Sequence, residues 1–302
     1  VCPECGRYHS TPEHLTTDKC TVCQSNLHGR KRQWGRFIEP EFGFLAARTT
    51  KDPGEERPQR FYASKVYFAN YRESPPPLQE AKNLSSHELR LKYTYSRYGQ
   101  LAVVNGGFSG AGFRICMTCG YAEPAPPPFV KPKRKTKGWQ SHEDPRSGRD
   151  CSGRMETFHL GHEFLTDVLD LRFEGPLSDV FDLQLWLSVL YALLEGASEA
   201  LNIPRDNLGG TLYPYAGSQS PALILYDNVP GGAALVRRVS ENLLSVFRTA
   251  YWRVANCECG SETSCYQCLR NYYNQFYHED LKRGLAADFL AQALTAAGHP
   301  LS

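Results

Sequence analysis

Four cysteines lie within twelve residues near the carboxyl end of the printed sequence, in the stretch NCECGSETSCYQCLRNYY. Their pattern is CxC, five residues, then CxxC: Cys257, Cys259, Cys265 and Cys268. Such a cluster could form disulfides, supply a catalytic thiol or bind a metal. Reduced cysteines would be expected to join an apolar core, and this loop is polar. The cluster therefore predicts a compact zinc site with four thiolate ligands.

A second set of cysteines opens the chain with two CxxC pairs separated by fourteen residues: Cys2, Cys5, Cys20 and Cys23. Each pair places two thiolates on one tight turn, and two turns complete a tetrahedron with Zn–S distances of ~2.3 Å. The spacing is typical of a zinc ribbon.

The middle set has only three cysteines: Cys116, Cys119 and Cys151. A tetrahedral site needs a fourth ligand, and His142, in the stretch SHEDPRSGRDC, is the favoured candidate. The alternative is that His142 is a solvated loop residue. His159 and His162 are rival ligands, but both fall on a predicted strand.

The eleven cysteines and one histidine give twelve ligands, which is enough for three zinc ions with no thiol left for catalysis. An odd number of cysteines argues against a complete disulfide framework, and no signal peptide is evident, so we expect a reducing cytoplasm. The apolar stretch 180–194 is too short for a membrane span, and we expect no membrane partner. Because the sequence begins with Val1, we expect a piece of a longer protein.

Two local basic runs point to nucleic acid, although the formal net charge is only +2. The candidate contact residues are Arg30, Lys31, Arg32, Trp34, Lys131, Lys133, Arg134, Lys135 and Lys137. Lysine and arginine bind phosphates with release of counterions, and an aromatic ring can stack on an unpaired base. We therefore expect DNA binding with a preference for single strands. A solvated, proline-rich linker is an equally good interpretation of the second run.

Aromatic residues are dense beside the last cysteine cluster, at Tyr272, Tyr273, Phe276 and Tyr277. They could form a stacking surface, but such residues more often pack the small core around a metal.

Motifs for catalysis are sparse. No GxxxxGK[ST] phosphate loop occurs, so we expect no ATP hydrolysis by this chain alone. The turn PGGA before a predicted helix could bind a phosphate through its amides, but Gly231 and Gly232 more simply allow a tight turn. Three acidic residues, Glu163, Asp167 and Asp170, raise the weaker alternative of a nuclease, yet strand periodicity does not place all three on one face.

The hydrophobic patterns predict an α+β fold of antiparallel strands and helices, held by several structural zinc sites. Strands are expected at 60–71, 88–105 and 158–173, with SRYG as a turn inside the second range. A helix is expected at 177–201, with Ser178 as its cap. Two further strands (NLGGTLYPYA and PALILYDN) and two further helices follow. The predicted domains are a zinc ribbon at 1–28, an antiparallel β region with the second zinc site and the basic insertion at 29–150, and an α+β domain at 151–302.

The segment ILYDNVPGGAALVRRV followed by CECGSETSCYQCL resembles the zinc-binding (MZB) domain at the carboxyl end of MrfA-like superfamily 2 helicases. FRICMTCG and LGHEFLTDVLDL are similar to the upstream region of larger relatives, including proteins of the phage-defence systems DISARM and Druantia. The similarity is clearest over about residues 150–295. It implies that the four cysteines of this segment match the zinc ligands of the family: Cys257, Cys259, Cys265 and Cys268. The similarity extends with fewer matching residues to the middle set of ligands, which is Cys116, Cys119, His142 and Cys151.

The resemblance implies a non-catalytic accessory region of a DNA helicase or helicase complex, in antiphage defence or DNA repair. The motor would lie upstream in the same polypeptide or in a separate subunit. The alternatives are a zinc scaffold that docks a helicase subunit without touching DNA and, less favoured, a nuclease.

Overall fold

The computed structural model describes residues 1–2, 4–9, 18–27, 37–40, 64–107, 110–126 and 141–301. The chain divides into two compact units, each assembled from segments that are distant in sequence. Unit 1 comprises Val1–Arg32, Val66–Ala102 and Glu163–Ser302, and unit 2 comprises Gln33–Lys65 and Val103–His162. The predicted domains were continuous ranges, and their boundaries stay a prediction.

The described residues form strands and helices in the mixed order expected of an α+β protein. The strands are β1 (Phe37–Ile38), β2 (Ser64–Tyr71), β3 (Gln79–Glu80), β4 (Arg90–Asn105), β5 (Phe113–Cys116), β6 (Ala122–Pro124), β7 (His142–Glu143), β8 (Asp150–Cys151), β9 (Met155–Glu174), β10 (Leu208–Tyr213) and β11 (Ala222–Asp227). The α-helices are α1 (Leu183–Leu201), α2 (Leu235–Glu241), α3 (Leu243–Ala255) and α4 (Arg283–Ala296). The predicted fold class is confirmed.

The central sheet of unit 1 has the strand order β10-β11-β9-β4-β2. β11 pairs antiparallel with both of its neighbours, with Leu225 opposite Gly210 on one side and Leu169 on the other. The first and last strands of this order also meet, because the Thr211 hydroxyl donates to the Val66 carbonyl at 2.8 Å. The rings of Phe68 and Tyr213 pack edge to face there, with centroids 4.9 Å apart. The sheet is therefore strongly curled.

The other face of this sheet carries the main core of unit 1, which is built with helices α1, α3 and α4. Phe173 on β9 packs against Trp186 of α1 and Phe289 of α4, with ring centroids 5.4 Å away in both cases. All three side chains are buried. Aromatic contacts of this kind add to the burial of apolar area, so they fix the helices on the sheet.

The amino-terminal residues of unit 1 pack on the same sheet. The Arg7 guanidinium lies 4.0 Å from the ring centroid of Tyr213. The Tyr8 hydroxyl donates to Glu163 Oε1 at 2.7 Å. The first cysteine set therefore belongs to the same compact unit as the last one, although the two sets are more than 230 residues apart in the sequence.

The predicted start of the first long helix is wrong. The α-helix begins at Leu183, and Asp182 is its cap, because its carboxylate accepts from the backbone N–H groups of Gln184 and Leu185. Ser178 instead closes a 3-10 turn by donating to the Gly175 carbonyl at 3.0 Å. A carboxylate is at least as good a helix cap as a hydroxyl, and sequence alone did not separate the two.

The predicted turn at SRYG is also wrong, because β4 runs without a break from Arg90 to Asn105. Gly99 is needed for close strand packing: a Cβ atom there would lie 2.2 Å from Cγ1 of Val168. The single helix expected after PGG is divided into α2 and α3 at Asn242.

Unit 2 is a smaller β structure. β5 pairs antiparallel with β6 and with the first part of β9, and β7 pairs with β8. The short β1 lies parallel to β9, with Phe37 opposite His159. No helix in the described part of either unit is long and apolar enough to cross a membrane.

Candidate metal centres

The structure gathers all twelve predicted ligands into three tetrads. The first tetrad is Cys2, Cys5, Cys20 and Cys23; the middle tetrad is Cys116, Cys119, His142 and Cys151; the last tetrad is Cys257, Cys259, Cys265 and Cys268. Within each tetrad the ligand atoms all lie within 4.8 Å of one another. None of the cysteines forms a disulfide in the described residues.

The sulfur spacings fit tetrahedral zinc. Zn–S bonds of ~2.3 Å place two sulfurs about 3.8 Å apart, whereas a disulfide holds them at about 2.05 Å. In the first tetrad the Cys2–Cys23 and Cys5–Cys20 sulfur pairs are 3.6 Å apart. In the last tetrad, Cys259 and Cys268 are separated by 3.7 Å. The arrangement therefore matches a metal centre with four thiolates.

Three CxxC turns share one backbone geometry, which shapes the first two tetrads. The residue after the second cysteine has a positive φ in each turn: 77° at Gly6, 59° at Gln24 and 78° at Gly120. Its N–H donates to the carbonyl of the first cysteine at 2.9–3.0 Å. Glycine suits this left-handed conformation, and Gln24 adopts it with a side chain. The glycine that follows CxxC in two of the three turns is the sequence signal for this geometry.

Backbone N–H groups also point at the sulfurs, which favours the thiolates that bind zinc. Val22 N–H donates to Cys20 Sγ and Thr118 N–H donates to Cys116 Sγ, each at 3.4 Å. For the Cys116 thiol, desolvation opposes ionisation, but amide hydrogen bonds from Cys119 and Thr118 outweigh it and lower the pKa to about 6. The backbone around Cys116 thus favours the thiolate form, which is the form that binds a metal.

His142 lies with the three cysteines in the middle tetrad. Its Nε2 atom lies 3.2 Å from Cys119 Sγ, and Cys116 Sγ lies 3.9 Å from Cys151 Sγ. Pairing of β7 with β8 puts His142 directly opposite Cys151, and the Tyr121 ring stacks on the imidazole at a centroid distance of 4.9 Å. His159 instead has Nε2 3.2 Å from the Gly110 carbonyl, and neither it nor His162 belongs to a tetrad in the described residues.

The last tetrad lies in the loop between α3 and α4. Arg283 joins the loop to α3, because its Nε donates to the Cys259 carbonyl at 3.0 Å and its Nη1 to the Val254 carbonyl at 2.7 Å. Cys268 and Leu269 are fully buried in the main core. The expectation that this loop has no core to join is therefore wrong, because one wall of the tetrad is part of that core.

The PGG turn does not offer its amides to a phosphate. The Asp227 carboxylate accepts from the N–H groups of Ala233, Leu235 and Val236 at 2.6–2.9 Å. Asp167 accepts from Ala234 at 2.8 Å. Gly231 and Gly232 have φ values of 87° and 78°, so they allow the tight turn that was the simpler interpretation.

The acidic residues considered for a nuclease have internal partners. The Tyr71 hydroxyl donates to Asp170 at 2.8 Å, and Arg172 binds the same carboxylate. Glu163 accepts from Tyr8, and Asp167 accepts from the backbone of the PGG turn. These contacts explain the acidic residues as structural ones.

The predicted DNA contacts lie outside the described residues. They are Arg30, Lys31, Arg32, Trp34, Lys131, Lys133, Arg134, Lys135 and Lys137.

The last tetrad lies within a segment that has known relatives. Residues 189–269 match the family model of the MrfA Zn-binding domain, MZB. The matched range contains Cys257, Cys259, Cys265 and Cys268. The resemblance to this zinc-binding domain is thus confirmed, over a shorter range than 150–295.

A curated relative extends the similarity beyond that segment. The chain is 28% identical over 282 residues to the Druantia protein DruE of Escherichia coli (strain UMEA 4076-1). The alignment covers 85% of this chain and 15% of that protein, so the chain spans about a seventh of the length of this relative.

Solved structures of the DUF1998 helicase MrfA are also similar. The structure with bound DNA aligns with 78% of this chain and 24% of that chain, at 14% identity and a TM-score of 0.41. The structure with DNA and AMPPNP aligns with 76% of this chain and 23% of that chain, at 11% identity and a TM-score of 0.31. The chain thus contains a segment like the MrfA Zn-binding domain and is similar to a Druantia protein.

Proposed function

We propose that this chain is a non-catalytic, zinc- and DNA-binding accessory region of a superfamily 2 DNA helicase or helicase complex. The observation that carries the proposal is the MZB match at residues 189–269, because it contains a complete cysteine tetrad. The Druantia relative supports a role in antiphage defence, and DNA repair is the other setting. We place the protein in the cytoplasm, because a reducing compartment keeps the cysteines available for metal.

The three tetrads are the proposed sites of three structural zinc ions. Each would have four protein ligands, which leaves no open position for water or substrate. Zinc would supply folding free energy and would fix the turns and loops between the ligands. In the middle tetrad, the ligands Cys119 and His142 would join the two ends of the insertion that contains the second basic run.

ATP hydrolysis belongs, in this proposal, to a motor in the same polypeptide or in a separate subunit. The support is that the chain aligns with only 15% of its Druantia relative. The accessory region would hold the single strand that the motor produces. A scaffold that docks the motor without DNA contact is the competing function, and a nuclease is the weaker one.

The salt dependence of single-stranded DNA binding tests the proposal. The two runs contain nine basic residues, which are the eight lysines and arginines named above and Arg36. If four to six of them contact phosphates, log K should fall against log salt with a slope of about −3 to −4. Replacing Lys133, Arg134 and Lys135 together with alanine should make the slope shallower by about 2. The measurement is fluorescence anisotropy of a labelled oligonucleotide across a salt series.

The matched control replaces Arg146 and Arg149, which are exposed in unit 2 outside the basic runs. Its slope should stay closer to that of the unmodified chain than the slope of the triple variant does. A flat salt response, or no binding at low salt, would favour the scaffold. Cleavage of the oligonucleotide with added metal would favour the nuclease.

A further inference from the structure

The loop of the last tetrad displays four aromatic rings to solvent. The exposed fractions are 65% for Tyr266, 45% for Tyr272, 46% for Tyr273 and 44% for Phe276. Packing around the metal was the expected role of this group, and Tyr277 fits it, because its ring faces Tyr191 in the main core at 6.2 Å. The other four rings lie on the surface of unit 1, where Tyr272 packs edge to face on Tyr273 and Phe276 packs edge to face on Tyr277.

A buried polar network holds this loop in place. Asn274 is fully buried; its Nδ2 donates to the Leu269 carbonyl and its Oδ1 accepts from the Asn271 amide, both at 2.8 Å. Asn271 Oδ1 in turn accepts from the amides of Tyr273 and Asn274. The backbone that carries the exposed rings is therefore fixed, and little conformational entropy remains to be lost when a ligand binds.

Arg270 ties the network to the metal loop. Its Nε donates to the Ser264 hydroxyl at 3.0 Å, and its Nη2 donates to the His278 carbonyl at 3.1 Å. Ser264 precedes the tetrad ligand Cys265, and Tyr266 follows it directly. The ring of Tyr266 packs edge to face on His278, with centroids 5.5 Å apart. The tetrad and the exposed rings are thus parts of one braced structure.

The composition of this surface fits nucleobases. From Thr263 to His278 the sequence has no acidic side chain, and Glu262 and Glu279 stand directly outside this stretch. Gln267 and Gln275 are neighbours of these aromatic residues in the sequence, and their amides offer hydrogen-bonding groups that base edges can use. The one aliphatic residue in the range, Leu269, is fully buried, so the surface lacks the apolar aliphatic residues that would extend a protein-binding core.

We propose that the aromatic loop, residues 265–276, is a stacking site for the unpaired bases of a single DNA strand. This inference rests on the proposed DNA-binding function and assigns a specific site to base contacts. Tyr266, Tyr272, Tyr273 and Phe276 contact bases, while the basic runs contact phosphates. Stacking on an aromatic ring tolerates any base, so the loop binds without sequence preference.

Comparison of a normal oligonucleotide with an abasic one tests the site, because the two share a phosphate backbone. The zinc-loaded chain should bind a thymidine 15-mer at least about tenfold more tightly than an abasic 15-mer, as expected from the loss of base stacking. Tyr266→Ala, and separately the pair Tyr272→Ala and Tyr273→Ala, should each weaken thymidine binding about tenfold. Binding of the abasic 15-mer should not change.

The control is Tyr98→Ala, which removes an exposed tyrosine from β4 in the same unit. Tyr272→Phe should retain binding, because the ring remains, and zinc content reports whether each variant folds.

Equal affinity of the unmodified chain for the two oligonucleotides would overturn the stacking site while leaving the proposed function intact. Absence of binding to either oligonucleotide would instead reject the proposed function. Tyrosine variants that keep thymidine binding but lose association with a motor would identify the loop as a protein-docking surface and overturn the proposal.

Discussion

Cys265→Ser is expected to remove one zinc ion and unfold the loop between α3 and α4. A structural zinc supplies on the order of 10 kcal/mol of binding free energy, and three remaining ligands leave an open position at the metal. Protease cleavage should therefore appear near residues 256–280. The curled sheet and α1 should remain folded, because their core includes Phe173, Trp186 and Leu190 and has few residues from the loop.

The contacts of the loop limit how far the damage spreads. Leu269 is buried in the main core, so the carboxyl-terminal part of the loop and the start of α4 should loosen together. Limited proteolysis with mass spectrometry measures the boundary, and circular dichroism measures what remains. Glu262→Gln, an isosteric change at an exposed position in the same loop, should behave like the unmodified chain. If Cys265→Ser keeps all its zinc and resists protease equally well, the tetrad is not a structural zinc site.

Asp227→Asn is expected to destabilise unit 1 by about 3 kcal/mol or more. The carboxylate is fully buried and accepts three backbone hydrogen bonds, from Ala233, Leu235 and Val236. Hydrogen bonds to a charged group contribute about 1.5–3 kcal/mol each, and an amide group would turn a donor toward N–H groups that need acceptors. Residues 231–236 should lose their turn, and α2 should fray.

Thermal unfolding of the zinc-loaded chain measures this effect. A loss of about 3 kcal/mol corresponds to a decrease in Tm of about 6–12 °C for a unit of this size. Asp206→Asn changes an exposed aspartate before β10 and should shift the Tm little. Equal Tm values for the two variants would mean that the carboxylate of Asp227 does not hold the turn.

The tetrads could be predicted from the sequence because ligand spacing is a local property. Cys116 and Cys119 lie on one turn, and the need for a fourth ligand pointed to His142 among the available histidines. The fold class followed in the same way from periodicity, since β11 and α1 each have a clear apolar pattern.

Features that depend on distant segments could not be predicted. Gly99 was interpreted as a turn residue because glycine often permits turns, but its role is to let β4 approach Val168 of β9. The contact between Thr211 and Val66 joins residues 145 positions apart, and no local pattern reports it. The cap of α1 has a different explanation, because Asp182 and Ser178 are both good cap residues and the local sequence did not separate them.

The aromatic residues show a different limit of sequence reasoning. Tyr273 and Tyr277 are chemically identical and four residues apart, yet one is exposed while the other packs against Tyr191. The difference arises from the turns fixed by Asn271 and Asn274, whose hydrogen bonds are set by the folded loop. Composition alone could not assign one to the surface and the other to the core.

The metal content of the chain, purified without added metal, tests the central claim most directly. We predict three zinc ions per chain and, in the His142→Ala variant, two. His87→Ala, at an exposed histidine outside the tetrads, should keep three. Fewer than three ions in the unmodified chain, or an unchanged count in His142→Ala, would contradict the account of three zinc sites.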